Sequence, residues 1–268
     1  MSNDRVILTC AASLLTLLVG YVGYAALTAK KYVFRSRVSQ LVIYPIKSLP
    51  GVRVDHLDIL PSLCKYKNFL DRSWLLLDSE NRMITLRNEP KLSKIRIVLL
   101  DDEMRLEADG MSPVLVPAQP SLKKGDRIHT FDVFGQEMDG QDCGEEINGW
   151  FRRFLGRENC KLVKHHDVFG YRGSYFVAND ELTKVKGKNM NILYQDSAPI
   201  HLVNEASVRE LNRLILADHG DENPPKIDWE RFRPNIYFET DKAFEEEVWK
   251  YLKIGRTEFQ FLSKSLID

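Results

Sequence analysis

Residues 38–48 read Val38-Ser39-Gln40-Leu41-Val42-Ile43-Tyr44-Pro45-Ile46-Lys47-Ser48. The stretch to Tyr44 is largely apolar and β-branched, which predicts a strand. Pro45 has no amide hydrogen and fits a strand end or edge. Downstream, strand candidates follow at Trp74–Asp78, Met83–Leu86, Ile95–Leu100, Met104–Ala108, Val114–Val116 and Ile128–Phe134, separated by Gly, Pro, Asn and Asp. Short strands this closely spaced predict a barrel or sandwich. The last candidates are Asn235–Glu239 and Glu258–Leu262.

Two helices interrupt them. Ile147, Trp150, Phe151, Phe154 and Leu155 keep the spacing of an apolar helical stripe between Gly144 and Leu155. Asp142 is expected to cap it, Glu145 and Glu146 suit its first turn, and Gly156 closes it. A second helix is expected from Ala206, with Ser207-x-x-Glu210 as a capping box and Val208, Leu211, Leu214 and Ile215 as its stripe. Asp167–Lys188 and Asp218–Asp228 are polar and read as loops. The body is therefore α+β, mostly β, without βαβ alternation.

Upstream of the first strand, Val6 to Ala29 is a run of 24 residues without a charge. A helix of that length reaches ~36 Å and spans a ~30 Å hydrocarbon core with some tilt. Arg5 alone precedes it, beside Asp4, while Lys30, Lys31, Arg35 and Arg37 follow. The positive-inside rule puts the body on the cytoplasmic side. A cleaved signal peptide is the rival reading, with Ala25-Ala26 and Ala29 as small residues at a cleavage site.

The chain carries 38 basic and 38 acidic residues, so no whole-chain field draws it to nucleic acid. Cys10, Cys64, Cys143 and Cys160 fit neither a CxxC metal site nor a disulfide framework. The six histidines do not cluster at metal spacing, and His165-His166 on a strand would point to opposite faces. Dinucleotide, Walker A and GxSxG motifs are absent. What remains is a set of basic and small polar residues at strand ends and turns. These are Lys47-Ser48, Asp71-Arg72, Thr85 with Arg87, Asp196-Ser197 and Arg231-Phe-Arg-Pro-Asn235. Each alone is an ordinary surface group; together they suit a polyanion pocket. Arginine offers phosphate a fork, lysine a point charge and serine a hydroxyl.

The same segments resemble the MOSC-domain proteins, and within them the mitochondrial amidoxime-reducing components. The likeness rests on Tyr44-Pro-Ile-Lys-Ser48, Asp71-Arg-Ser-Trp74, Met83-Ile-Thr-Leu-Arg-Asn-Glu-Pro-Lys-Leu92, Asp142-Cys-Gly144, Tyr194-Gln-Asp-Ser-Ala-Pro199, Asn204-Glu-Ala-Ser207 and Arg231-Phe-Arg-Pro-Asn235. It implies a transmembrane signal-anchor over 6–29, a MOSC N-terminal β-barrel domain over 36–156 and a partial MOSC β-barrel domain over 157–268. It also implies a molybdenum cofactor (Mo-molybdopterin) contacted by Lys47, Ser48, Arg72, Asp196, Ser197 and Arg233. The implied activity is reduction of N-hydroxylated compounds. The implied partners are membrane lipid, a cytochrome-b5-type electron carrier and its NADH-dependent reductase. The implied place is the mitochondrial outer membrane, facing the cytosol.

One departure qualifies this. The family binds molybdenum through a thiolate in an Arg-Cys motif after Phe-Arg-Pro-Asn, and a soft thiolate suits such a metal. No cysteine follows Cys160, and the likeness fades after Ile254-Gly255. The resemblance then implies a C-terminally truncated chain, with no metal ligand and no catalytic residue assigned. Two alternatives stand beside the reductase. One is an inactive MOSC protein acting as a binding or scaffold module. The other is a sulfurase-like sulfur-carrier module, since MOSC domains occur beside pyridoxal-phosphate sulfurases.

Overall fold

The strand expected after Arg37 forms, and its partners come from opposite ends of the chain. The computed structural model describes residues 32–173, 191–219 and 224–261. The described residues from Ser36 onward make one compact unit. The 6–29 helix expectation lies outside the described residues. Among the described residues no helix is long and apolar enough to cross a membrane.

The body is mostly β with two α-helices, α1 (Glu145–Leu155) and α2 (Glu205–Asp218). Arg37–Ile43 pairs antiparallel with Val52–Val54 on one side and Ile236–Glu239 on the other. Leu202–Asn204 lies parallel beyond Ile236–Glu239. These two parallel strands and α2 between them make a single βαβ crossover, which the sequence did not reveal, in a body whose other strand pairs are antiparallel and which is mostly β as expected. Leu202–Asn204 has only three residues, too few for alternation to register in sequence.

A five-stranded antiparallel sheet runs in the order Ile128–Val133, Gln136–Asp142, Lys161–Lys164, Trp74–Leu77, Met83–Ile84. Trp74–Leu77 is buried on both faces, because successive side chains on a strand alternate sides. Trp74 and Leu76 join the larger core, with Ile147, Trp150, Phe151 and Leu155 of α1. Leu75 and Leu77 join a second cluster containing Phe131, Val133, Met138, Val163 and Tyr194. Burying such side chains contributes ~1.5–3 kcal/mol each. This central strand carries one core on each side and holds the Asp71–Trp74 segment rigid at its start.

Both helix starts differ from expectation. The N-cap of α1 is Gly144, with no side-chain cap. Asp142 instead accepts from Gly144 N (2.8 Å) and Asn148 Nδ2 (2.7 Å), bracing the approach to the helix. Gly156 does close α1 in the left-handed region. The α2 cap is Asn204, whose Oδ1 accepts from Ala206 N at 3.1 Å. The Ser207–Glu210 capping box does not form, because the helix begins at Glu205 and both residues lie inside it. Ser207 Oγ donates to Glu246 and Glu210 pairs with Arg213.

Gly51 shows how tightly the first strand is packed. A Cβ there would meet Val42 and the Tyr44 ring, the latter at 2.6 Å. Gly51→Ala is expected to lower the unfolding free energy by about 1–3 kcal/mol. A denaturation midpoint equal to wild type would show that the Tyr44 ring is not held there.

Candidate functional site

Three segments far apart in sequence meet where the first strand ends. Tyr44 donates its amide hydrogen to Asp71 Oδ1 (2.9 Å), and Arg72 donates its own to the Tyr44 carbonyl (2.6 Å). Lys47 N donates to the Trp74 carbonyl at 2.7 Å. Asn235 Nδ2 donates to Asp71 Oδ1 (2.9 Å) and to the Val42 carbonyl (3.2 Å). Asn235 Oδ1 accepts from His201 N (3.1 Å) and Arg72 Nη1 (3.4 Å). Arg72 also pairs directly with the Asp71 carboxylate. Asp71 and Asn235 are fully buried, and their polar atoms are satisfied within this knot, as buried polar groups require.

The backbone is bent sharply here. Ser48, Arg72 and Arg233 have φ of 68°, 51° and 54°. Non-glycine residues rarely adopt that region, at a cost of order 1–3 kcal/mol each, unless the surroundings over-determine it. Arg233 does so as the left-handed cap of the short 3-10 turn Trp229–Phe232. The guanidinium carbons of Arg72 and Arg233 lie 4.7 and 4.5 Å from the centre of the same Tyr44 ring. Arg72 Nη2 donates to the Arg233 carbonyl at 3.1 Å.

Charge in the cluster is unbalanced. Arg72 is paired with Asp71, and Lys47 with Asp196. Arg172 is buried and donates to the carbonyls of Leu193, Gln195 and Asp196. Arg233 Nη2 is buried with no hydrogen-bond partner among the described residues. Against these four cations two carboxylates make direct ion pairs, while Asp132 acts on Arg172 and Glu230 on Tyr44 at longer range. Burial, then repulsion from Arg72, lowers the Arg233 pKa to about 10, so it stays charged at neutral pH. Burial raises the Tyr44 hydroxyl to about 12 against the pull of both guanidiniums, so it stays protonated. Desolvation opposes ionisation of Asp196, but Lys47, then Arg72 and Arg233, outweigh it and hold its carboxyl below the usual range. The surplus cations and the unused buried N–H form a donor set that suits an anion, and arginine forks suit phosphate above all.

The structure brings Lys47, Arg72, Asp196 and Arg233 together. Ser48 and Ser197 follow Lys47 and Asp196 in the chain and are half-buried. Arg87 and Arg231 are exposed, and Thr85 lies in a turn closed by Asn88. Among the described residues no hydrogen bond or ion pair joins these three to the cluster. Sequence reasoning missed Arg172, which sits in the stretch read as a loop but occupies the short strand Arg172–Gly173. It also missed the structural parts of Tyr44, His201 and Asn235. Asn235 had a signal, since it closes the Arg-Phe-Arg-Pro-Asn motif.

The family described as MOSC N-terminal beta barrel domain matches residues 35–158, and the MOSC domain family matches residues 189–265. The chain belongs to the MOSC-domain proteins. Mitochondrial amidoxime reducing component 2 of Rattus norvegicus is 34% identical, over 83% of this chain and 62% of that protein. Mitochondrial amidoxime-reducing component 1 of Mus musculus is 30% identical, over 83% of this chain and 61% of that protein. Molybdenum cofactor sulfurase of Danio rerio is 29% identical, over 85% of this chain but 27% of that protein. The chain therefore spans less than two thirds of the length of these amidoxime-reducing relatives. In this MOSC-domain protein both matched stretches build the cluster. Lys47 and Arg72 come from the first, Asp196 and Arg233 from the second.

His201 sits against this cationic site, and burial, then Arg72, lowers its pKa to about 4. An unfolded histidine titrates near 6.5. Between those values the unfolded chain binds the proton and the folded one does not. The stability contributed by neutral His201 is full above pH ~6.5 and is lost as pH falls toward 4, on the order of 3 kcal/mol in all. His201→Gln should flatten the acid limb of a stability–pH profile measured by urea unfolding. An unchanged slope would show that His201 is not held neutral.

Proposed function

We infer that this chain holds the phosphate end of a molybdenum cofactor between Arg72 and Arg233. The observation carrying this is the buried, unpartnered Arg233 Nη2 beside a second guanidinium on the same tyrosine ring. The residues fit that end of the cofactor. Arg72 and Arg233 would take phosphate oxygens by charged hydrogen bonds, Lys47 would add a cation, and Ser48 and Ser197 would supply hydroxyls. Asp196 holds Lys47 in place. The donor set is cationic and hydroxylic. Cys64, Cys143 and Cys160 are free, but burial pushes all three thiols up, so none is a ready thiolate.

When bound, the cofactor would supply two-electron redox chemistry for N–O bond reduction. The chain's own task is to anchor, orient and neutralise it. The knot around Asp71 fixes Arg72 before any ligand arrives, so little reorganisation is needed on binding. The names of the relatives support an N-hydroxylated substrate class and a mitochondrial setting. The charge-free run 6–29, with basic residues after it, supports an anchor in the outer membrane with the body facing the cytosol. A cytochrome-b5-type carrier fed by an NADH-dependent reductase would supply the electrons.

The test is the full chain, produced with the cofactor available and then measured for bound pterin, bound molybdenum and turnover of benzamidoxime. Wild type should retain pterin. Arg233→Ala should weaken retention about 10–100-fold, the loss of a charge-assisted hydrogen-bond pair, while its unfolding midpoint stays within error. Arg233→Lys should recover part of the loss. Equal retention in wild type and Arg233→Ala would remove the arginine from the site. Pterin retained without turnover would favour the binding-module reading over the reductase.

A further inference from the structure

One aromatic side chain at the edge of this cluster, Phe134, holds a strained backbone conformation without being buried. Ile128–Val133 and Gln136–Asp142 form a hairpin in which Val133 faces Gln136, leaving Phe134-Gly135 as a two-residue turn. Both turn residues have positive φ, 53° and 82°. A turn of that kind favours Asn-Gly, and a bulky aromatic at its first position is strained. Phe134 is also 54% exposed, so burial does not offset the strain. What it touches is specific. Lys47 Nζ lies 5.1 Å and the Arg172 guanidinium carbon 5.4 Å from its ring centre. Lys47 bonds Asp196 through its side chain, and Arg172 bonds the Asp196 carbonyl at 3.0 Å. The ring is thus linked through Lys47 and Asp196 to the Arg72–Arg233 pair, both of which act on the Asp196 carboxylate.

The turn is also braced. Gln136 Nε2 donates to the Gly173 carbonyl (3.1 Å), and Gly173 N donates to Gln136 Oε1 (2.9 Å). This two-point amide clasp ties the hairpin to the strand that carries Arg172. Asp132 Oδ1 accepts from Gly135 N at 3.0 Å inside the turn. A strained, half-open aromatic ring held in register beside surplus cations is arranged as a stacking surface.

We propose that Phe134 is a ligand-binding residue, the wall against which a planar heteroaromatic ring stacks when its phosphate occupies the Arg72–Arg233 cradle. This rests on the cradle reading above and adds the ring-binding half of the site. Lys47 and Arg172 contribute indirectly, by fixing the Phe134 ring through cation–π contact.

The experiment uses the full chain and two probes, inorganic pyrophosphate and 6-hydroxymethylpterin diphosphate, titrated calorimetrically. In wild type the pterin compound should bind more tightly than pyrophosphate by about tenfold, the ordinary worth of one aromatic stack. Phe134→Asn should bind pyrophosphate as wild type does but lose that increment, and its unfolding temperature should rise as the turn strain is relieved. Phe134→Tyr should keep the increment. An increment of equal size in wild type and Phe134→Asn would overturn the proposal. If pyrophosphate fails to bind wild type at all, the cradle reading falls first, and the stacking wall with it.

Discussion

The buried carboxylate of Asp71 is the constraint on which the rest depends. It accepts from the Tyr44 amide, from the Asn235 side chain and from the Arg72 guanidinium. Those donors come from the first strand, from its own segment and from residues about 160 positions later. Breaking such a buried ion pair by removing one partner costs ~3–5 kcal/mol, because the other charge is left uncompensated. A buried pair is not in itself a strong source of stability. Here it fixes geometry: it holds Arg72 in a left-handed conformation and brings the Arg233 turn alongside.

That geometry explains where strain collects. Of seven non-glycine residues with positive φ among the described residues, four belong to this region: Ser48, Arg72, Phe134 and Arg233. Arg72 is held by the Asp71 knot, Arg233 by a 3-10 cap and the Phe134 turn by an amide clasp. Strain supported in this way turns flexible cations into a preorganised donor set. The two cores flanking Trp74–Leu77 give the knot a rigid base, and the Tyr44 ring, packed over Gly51, gives the guanidiniums a surface to lie against.

Much of this was legible in the sequence, but unevenly. The apolar, β-branched run after Arg37, the stripe of α1 and most strands of the first half formed as expected. Lys47, Arg72, Asp196 and Arg233 stood out as cations and small polar groups at strand ends, and the fold gathers them. Sequence failed where the element is too short or the partner too distant. Leu202–Asn204 and Arg172–Gly173 are too short to show a period, so the βαβ crossover and the buried Arg172 went unseen. The cap of α2 moved because Asn204 competes with Ser207 one turn earlier, and Ser207 turns to Glu246 instead. Asp71, Asn235 and His201 have ordinary residue types; only the three-dimensional knot shows what they do. Phe134 was read as the end of a strand, and its exposure and backbone angle are visible only in space.

Arg72 and Arg233 thus form one preorganised anion site. The most direct measurement is anomalous diffraction from crystals of the full chain soaked in tungstate, a tetrahedral oxyanion with a strong signal. The expected result is a peak within hydrogen-bonding distance of both guanidiniums, with Arg72 still bonded to Asp71 and no rotamer change at either arginine. A cradle without density at saturating tungstate, or Arg233 turned away onto a carboxylate, would contradict the claim.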